Sequence, residues 1–392
     1  MRGKMIRYNR QGFTHLRVIH IFALFLAGGL SLNAAQDVWT GIERVIAVGD
    51  VHGDYEQFVA VLQSAEVIDR EGKWIGGKTH LVQTGDILDR GPDSRKVMDL
   101  LMRLEGEAAK AGGRVHVLIG NHEAMNVYGD LRYVSAGEYA SYQDAGSQKR
   151  LEDHYQRHQQ RSKESPPPEG VPKFDEAYRR KWESEHPLGY IEHREAFGPK
   201  GKYGKWIRSL NSIIKIDSTL FLHGGISPKY ADSSIRNLNN QIRDELNDRK
   251  MLQGGIVIDS EGPLWYRGLA EGNEESLEPF VKKVLQNYQV ERIVVGHTFT
   301  EGAVTPRFRA QVLLIDIGLA RLYDSKLRMA CLVIENGHPF ALRRGKKLTL
   351  PLDSGNDLLR YLNQAAALDP VPSPLKGRIA ELERRMAGSG SN

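Results

Sequence analysis

Side chains that can bind metal ions lie at the ends of five short apolar runs in this 392-residue sequence. Each run ends beside a glycine, which lets the backbone turn sharply and come close to a ligand. Sheets of alternating strands and helices bind their ligands beyond the carboxyl ends of the strands. We therefore expect six side chains to converge there: Asp50, His52, Asp86, Asn121, His223 and His297.

The donor atoms of these six residues are oxygens and nitrogens, a mixture that suits Mn²⁺, Fe or Zn²⁺. Asp50 and His52 are two positions apart, so in an extended segment their side chains point the same way and can hold one ion together. Six ligands exceed the four of a structural zinc site. They suit two ions if one carboxylate bridges, and we expect Asp86, which begins the second loop, to be that bridge.

Two ions about 3.5–4 Å apart can clamp a phosphate and activate a bridging water for in-line attack. Phosphate hydrolysis also needs cations for the non-bridging oxygens, and the planar fork of arginine matches them. Arg90 lies in GDILDRG and Arg267 in PLWYRG. His122 can protonate the leaving oxygen as general acid, with Asp89 orienting its ring.

Strands and helices must alternate to bring these residues together. Apolar runs rich in β-branched residues predict buried strands at 45–48, 81–84, 115–119, 220–222, 293–295 and 312–315. Apolar residues at helical spacing predict helices over 55–65 and 93–111. This alternation predicts an α/β sheet.

The polar segment 130–205 predicts a partly helical insertion between the third and fourth site strands, with an exposed loop at 166–168. Its aromatic residues favour packing over the alternative of a disordered linker, and its position after a site strand would let it cap the site. Four histidines of this segment are expected to be solvated: His154, His158, His186 and His193. The catalytic domain is predicted to span 40–350, and 351–392 to form a helical tail.

The sequence resembles the calcineurin-like metallophosphoesterases in five motifs that follow the order of that family: GDVHG (49–53), GDILDRG (85–91), GNHE (120–123), HGG (223–225) and GH (296–297). The pairing of GDxxDRG with GNHE is similar to the phosphoprotein phosphatase branch. Three further stretches are similar to the Shewanella-like phosphatases of that branch: GDLRYV (129–134), YGKWIRSL (203–210) and LWYRG (264–268). The motifs extend from about residue 44 to residue 318.

This resemblance implies a four-layer α/β fold, in which a central β-sandwich flanked by helices replaces a single doubly wound sheet. It implies two divalent ions per chain, with Mn²⁺ favoured and Fe or Zn²⁺ as alternatives. The first ion would take Asp50, His52 and the bridging Asp86. The second ion would take Asp86, Asn121, His223 and His297.

The same resemblance implies a phosphomonoesterase that acts on phosphoproteins, at serine and threonine or at tyrosine. His122 would be the proton donor, paired with Asp89, and Arg90 and Arg267 would bind phosphate. The expected substrate is a phosphorylated protein or a small phosphomonoester. The oligomeric state is left open.

The first 35 residues carry five basic residues, no acidic residue and the apolar run 21–32, followed by Asn33, Ala34 and Ala35. This pattern predicts a cleaved signal peptide and an exported protein, periplasmic or secreted. The run is about half of the ~20 residues that a membrane-spanning helix needs, although an uncleaved anchor or a buried helix is the alternative. Because the net charge of +5 equals this basic excess, we expect no nucleic-acid surface.

Two other functions are compatible with the motifs. The same core could hydrolyse a nucleotide or a dinucleoside polyphosphate, although Asp89 and Glu123 favour the phosphoprotein phosphatase branch. A non-catalytic envelope binding protein could also have kept the fold. The intact set of ligands, acid and arginines argues against this third function.

Overall fold

The computed structural model describes residues 36–322, 327–352 and 355–389. The predicted signal peptide at 1–35 lies outside these ranges, and so does the very end of the predicted tail. Across the ranges described, no helix combines the length and the apolar character needed to cross a bilayer.

The strands of the described residues form two mixed sheets. In chain order they are β1 (Val38–Trp39), β2 (Arg44–Val48), β3 (His80–Gln83), β4 (Arg114–Val117), β5 (Ile213–Ile216), β6 (Thr219–Leu222), β7 (Arg292–Val295), β8 (Thr305–Arg307), β9 (Val312–Leu314), β10 (Ala330–Glu335), β11 (His338–Arg343) and β12 (Lys346–Thr349). One sheet has the order β1-β5-β6-β7-β9-β8 and the other β12-β11-β10-β2-β3-β4. Residues of both sheets belong to one hydrophobic core, as a sandwich requires.

Helices connect and flank these strands. They are α1 (Tyr55–Ser64), α2 (Ser94–Lys110), α3 (Asn121–Tyr128), α4 (Ala136–Ala140), α5 (Ser147–Glu164), α6 (Glu176–Glu185), α7 (Tyr190–Phe197), α8 (Lys202–Ser209), α9 (Ile235–Asn247), α10 (Gly268–Glu271), α11 (Glu274–Tyr288), α12 (Asn356–Ala366) and α13 (Lys376–Ser389). Asp54 begins α1 by accepting a hydrogen bond from the Gln57 backbone N–H at 3.2 Å. The apolar residues at helical spacing in the 17-residue helix α2 face the core.

Six of the strands position the site. β2, β3 and β4 are neighbouring parallel strands in one sheet, and β6, β7 and β9 are neighbouring parallel strands in the other. Their carboxyl ends meet closely: a Cβ on Gly49 would lie 2.4 Å from the Ile315 carbonyl oxygen. The prediction of one α/β sheet was therefore wrong, because alternation along the chain does not reveal which strands share a sheet. The sandwich implied by the resemblance is confirmed.

The region predicted as an insertion holds helices α4 to α7 and the first half of α8. Leu151, Tyr155 and Trp182 form a small separate apolar cluster within it. His193 is fully buried, so its predicted solvation was wrong. The rings of Tyr139, Tyr142 and Phe197 surround it. The other three histidines are partly buried among aromatic rings: His154, His158 and His186.

Candidate active site

A cavity of about 220 Å³ lies where the six strand ends meet. Eight of the ten residues predicted for the site line it: Asp50, His52, Asp86, Arg90, Asn121, His122, Arg267 and His297. The remaining two, His223 and Asp89, have no exposed surface and lie behind this lining. Four further residues complete the wall: Tyr133, Trp265, Phe299 and Asp316.

Asp86 lies at the centre of the donor atoms. Its Oδ2 is 3.2 Å from His223 Nε2, 3.8 Å from His122 Nε2 and 3.9 Å from His52 Nε2. His223 Nε2 in turn lies 2.9 Å from Asn121 Oδ1 and 3.1 Å from His297 Nδ1. Two groups with donor atoms within 4.8 Å of one another share Asp86: His52, Asp86 and His122, and Asp86, His223 and His297.

Backbone carbonyls orient the three predicted histidine ligands. His52 Nδ1 lies 2.9 Å from the Leu88 oxygen, His223 Nδ1 2.9 Å from the Thr84 oxygen, and His297 Nε2 3.2 Å from the Trp265 oxygen. Each ring can donate its one N–H outward and turn its unprotonated nitrogen toward Asp86. Histidines that ligate metals in proteins are held in this way.

Burial and close packing shift the pKa values of the clustered donor groups. Burial lowers the pKa of His52 to about 3, and burial and then His223 lower that of His297 to about 2, so both rings stay neutral. Burial acts to lower the pKa of His223, but Asp86 and Asp50 outweigh it and raise this pKa to about 9. Burial, with Asp316 next in size, raises the pKa of Asp50 well above its ordinary value. A divalent ion bound here would displace the proton that Asp86 and Asp50 hold on His223, because a metal-ligating histidine must be unprotonated.

The backbone of the site adopts conformations that residues other than glycine rarely take. Five site residues have positive φ: His52 (46°), Asp86 (56°), Asp89 (68°), Arg90 (67°) and His297 (64°). Each such residue costs on the order of 1–3 kcal/mol and persists only where its surroundings determine it. One such support is the Asp86 backbone carbonyl, which accepts hydrogen bonds from the N–H groups of Val51 and His52 at 2.9 and 3.0 Å.

Glu123 stabilises the same loops through hydrogen bonds to their backbone. Its carboxyl group accepts three backbone N–H groups, from Asp86 and Gly120 at 2.8 Å and from Ile87 at 2.9 Å. Burial, and after it the charge of Asp86, raises the pKa of Glu123 to about 7. Its contacts fix the turn from which Asp86 projects.

His122 and Asp89 form the pair predicted for proton donation. His122 Nδ1 lies 2.5 Å from Asp89 Oδ2, and the Asn126 amide donates to Asp89 Oδ1 at 2.8 Å. Burial acts to lower the pKa of His122, but Asp86 and Asp89 raise it above its ordinary value. Asn126 was not predicted; its position one helical turn after His122 was the only local signal.

Both arginines predicted to bind phosphate border the cavity. Arg267 donates to the His297 carbonyl at 2.6 Å and to Thr298 Oγ1 at 3.1 Å. Arg90 Nη2 lies 3.5 Å from His122 Nε2, so a cation already adjoins the nitrogen that would release the proton. This neighbour acts to lower the pKa of His122 and so favours release of its proton.

Aromatic rings form the outer wall of the cavity. Tyr133 is 43% exposed and its ring lies 5.1 Å from that of His122. The neighbouring Arg132 pairs with Asp130, and its guanidinium lies 5.9 Å from the centre of the Tyr133 ring. Trp265 and Phe299 were not predicted as site residues; each lies two positions from one that was, Trp265 before Arg267 and Phe299 after His297.

Comparisons with known proteins agree with this geometry. The model of the calcineurin-like phosphoesterase family matches residues 43–300. An uncharacterized protein of Schizosaccharomyces pombe is 32% identical over 71% of this chain and 74% of its own length, and Shewanella-like protein phosphatase 2 of Arabidopsis thaliana is 27% identical over 71% and 72%. The crystal structure of a cold-active protein-tyrosine phosphatase of a psychrophilic Shewanella species matches with a TM-score of 0.61 and 30% identity, covering 81% of this chain and 82% of that one. The chain belongs to the calcineurin-like phosphoesterase family.

Proposed function

We propose that this chain is a two-metal phosphoprotein phosphatase that prefers phosphotyrosine. One observation carries the proposal: Asp86 Oδ2 lies between His52 Nε2 at 3.9 Å and His223 Nε2 at 3.2 Å, in a cavity that His122 and the two arginines also line. Such an arrangement can neutralise a phosphate, hold it in line and protonate its leaving oxygen.

Each residue has a distinct part in this proposal. Asp50, His52 and Asp86 would hold the first ion, and Asp86, Asn121, His223 and His297 the second, with Mn²⁺ favoured. Bound there, divalent ions supply Lewis-acid stabilisation of phosphate charge and lower the pKa of water. Arg90 and Arg267 orient the phosphate through its outer oxygens. His122 gives the proton on Nε2 to the leaving oxygen, while Asp89 stabilises the ring through Nδ1.

The shape of the cavity supports an aryl phosphate. The cavity of about 220 Å³ suits a phosphoryl group, and the rings of Tyr133, Trp265 and Phe299 line its wall. With its phosphoryl group in the cavity, phosphotyrosine would place its phenyl ring against these aromatic side chains. The short aliphatic side chain of phosphoserine would not reach them. The structural neighbour described as a protein-tyrosine phosphatase points the same way.

Export is part of the proposal. The basic start and short apolar run of residues 1–35 support a signal peptide that directs the protein to the periplasm or the exterior. A fusion of these residues to a reporter enzyme that is active only outside the cytoplasm tests this point. Activity that is lost when the apolar run is interrupted by charges would support it, and activity that is independent of the run would contradict it.

A substrate panel on the Mn²⁺-loaded protein tests the activity. We expect the highest kcat/KM for a phosphotyrosine peptide, followed by the matched phosphoserine and phosphothreonine peptides, and the lowest for ATP and a dinucleoside polyphosphate. The three peptides share one sequence, so only the phosphorylated residue differs. Faster hydrolysis of the nucleotides than of every peptide would contradict the proposal.

A further inference from the structure

Residues 133–138, at the start of the predicted insertion, contact the loop 89–94 almost residue by residue. The Arg90 N–H donates to the Tyr133 carbonyl at 2.9 Å, and Ser135 Oγ donates to the Gly91 carbonyl at 3.0 Å. Further along, Ser94 Oγ donates to Glu138 Oε2 at 2.9 Å. We call residues 133–138 the brace segment.

Packing reinforces these hydrogen bonds. A Cβ on Gly137 would lie 2.5 Å from Pro92 Cβ, so the Gly137 backbone packs against the Pro92 ring more closely than a side chain would allow. Only glycine fits at this position of the brace segment. The contact lies between the hydrogen bonds at Gly91 and Ser94. The brace segment therefore contacts the loop 89–94 along most of its length.

The braced loop carries the strained part of the active site. Asp89 and Arg90 are consecutive residues with φ of 68° and 67°. Asp89 orients His122, and Arg90 borders the phosphate cavity. Two adjacent positive-φ residues need outside contacts to persist, because an unsupported loop would relax to ordinary backbone angles.

Glu138 is the most buried member of the brace segment, with no exposed surface. Besides accepting from Ser94, its carboxyl group faces the backbone N–H of Asp89. Its Oε1 lies 3.7 Å from His193 Nε2, and in the part of the chain described here neither this oxygen nor either His193 nitrogen has a hydrogen-bond partner. Burial, and after it the charge of Asp89, raises the pKa of Glu138 well above its ordinary value. A neutral carboxyl group makes glutamine a close replacement.

We propose that the brace segment holds the loop 89–94 in its active conformation and that Glu138 is its central positioning residue. This inference rests on the proposed phosphatase activity. Glu138 touches neither substrate nor metal ligands, so its contribution comes through the placement of Asp89 and Arg90. A displacement near 1 Å at a reacting group can cost ~10²-fold in rate.

Turnover of a small aryl phosphate by full-length, metal-loaded variants tests the inference. For Glu138→Ala we expect kcat to fall roughly 10- to 100-fold with unchanged metal content, because the acid pair and Arg90 lose their alignment. Glu138→Gln should recover most of kcat, since its amide oxygen can accept from Ser94 and its amide nitrogen can face His193. Ser94→Ala keeps the carboxyl group and should give a smaller fall, which guards against a failure of Glu138→Ala to fold.

Asn239→Ala is the matched control for the loss of a buried polar side chain. Asn239 is 1% exposed and makes three hydrogen bonds to the backbone of Ser212 and Ile213, at the start of β5. We expect this variant to lose thermal stability while keeping kcat. Wild-type kcat in folded Glu138→Ala would overturn the inference, and so would equal losses in Glu138→Gln and Glu138→Ala. An inactive wild type would instead overturn the proposed function.

Discussion

Replacing Asp86 with asparagine is expected to lower turnover of a small aryl phosphate at least ~10³-fold. Stabilisation by bound metal ions amounts to several kcal/mol, and each ~1.4 kcal/mol is tenfold in rate. The change is sharply localised: Oδ1 accepts the His122 backbone N–H at 3.0 Å, which an asparagine oxygen can still do, whereas Oδ2 faces the three histidines. An amide NH₂ at that second position cannot bridge two cations.

Metal content measured on the same samples tests the cause of the loss. We expect fewer than two ions per chain in Asp86→Asn and an unchanged far-UV spectrum. Asp37→Asn is the matched control, because Asp37 is a buried carboxylate, 7% exposed, that pairs with Arg236 at a different cavity. Asp37→Asn should keep turnover. Normal turnover by Asp86→Asn would exclude Asp86 as a bridge.

His122→Asn is expected to lower kcat by ~10²–10⁴-fold, the range of general acid catalysis, with two ions still bound per chain. The tyrosine phenol has a pKa near 10, and a nitrophenol leaves more readily without a proton. The loss should therefore be larger for phosphotyrosine than for nitrophenyl phosphate. Asp89→Asn should also lower kcat more for phosphotyrosine than for nitrophenyl phosphate, because Asp89 holds the His122 ring through Nδ1.

The metal content of His122→Asn separates the two possible roles of this residue. His122 lies in one of the two groups of close donor atoms, so a ligand role is geometrically open. Loss of one ion in His122→Asn would make it a ligand and contradict its assignment as the acid. Equal losses for both leaving groups would contradict proton donation even if both ions remain.

The location of the site could be predicted from sequence because its signal is local. Gly49 and Gly85 end buried strands next to Asp50 and Asp86, and that pattern can be read within a few residues. The division of the strands between two sheets could not be read from alternation. This division depends on which strands pair with each other, and only the family resemblance predicted two sheets.

The burial of some residues and their contacts with distant residues could not be predicted from the sequence. His193 lies in a polar stretch, yet its surrounding rings come from residues as distant as Tyr139, so local composition gave the wrong environment. Asn126 and Glu138 act on Asp89 from 37 and 49 positions away, and neither belongs to a pattern of its own. Such residues become visible only when folding brings their partners next to them.

Reloading of metal-free protein with Mn²⁺ tests the central claim most directly. Bound Mn²⁺ per chain and turnover of a phosphotyrosine peptide are measured on the same samples after removal of metal with a chelator. We expect no turnover without metal and full turnover only as the second ion binds, because Asp86 lies between the proposed ligands His52 and His223 of the two ions. Full turnover by the metal-free protein, or two bound ions without turnover of any phosphoester, would contradict the account.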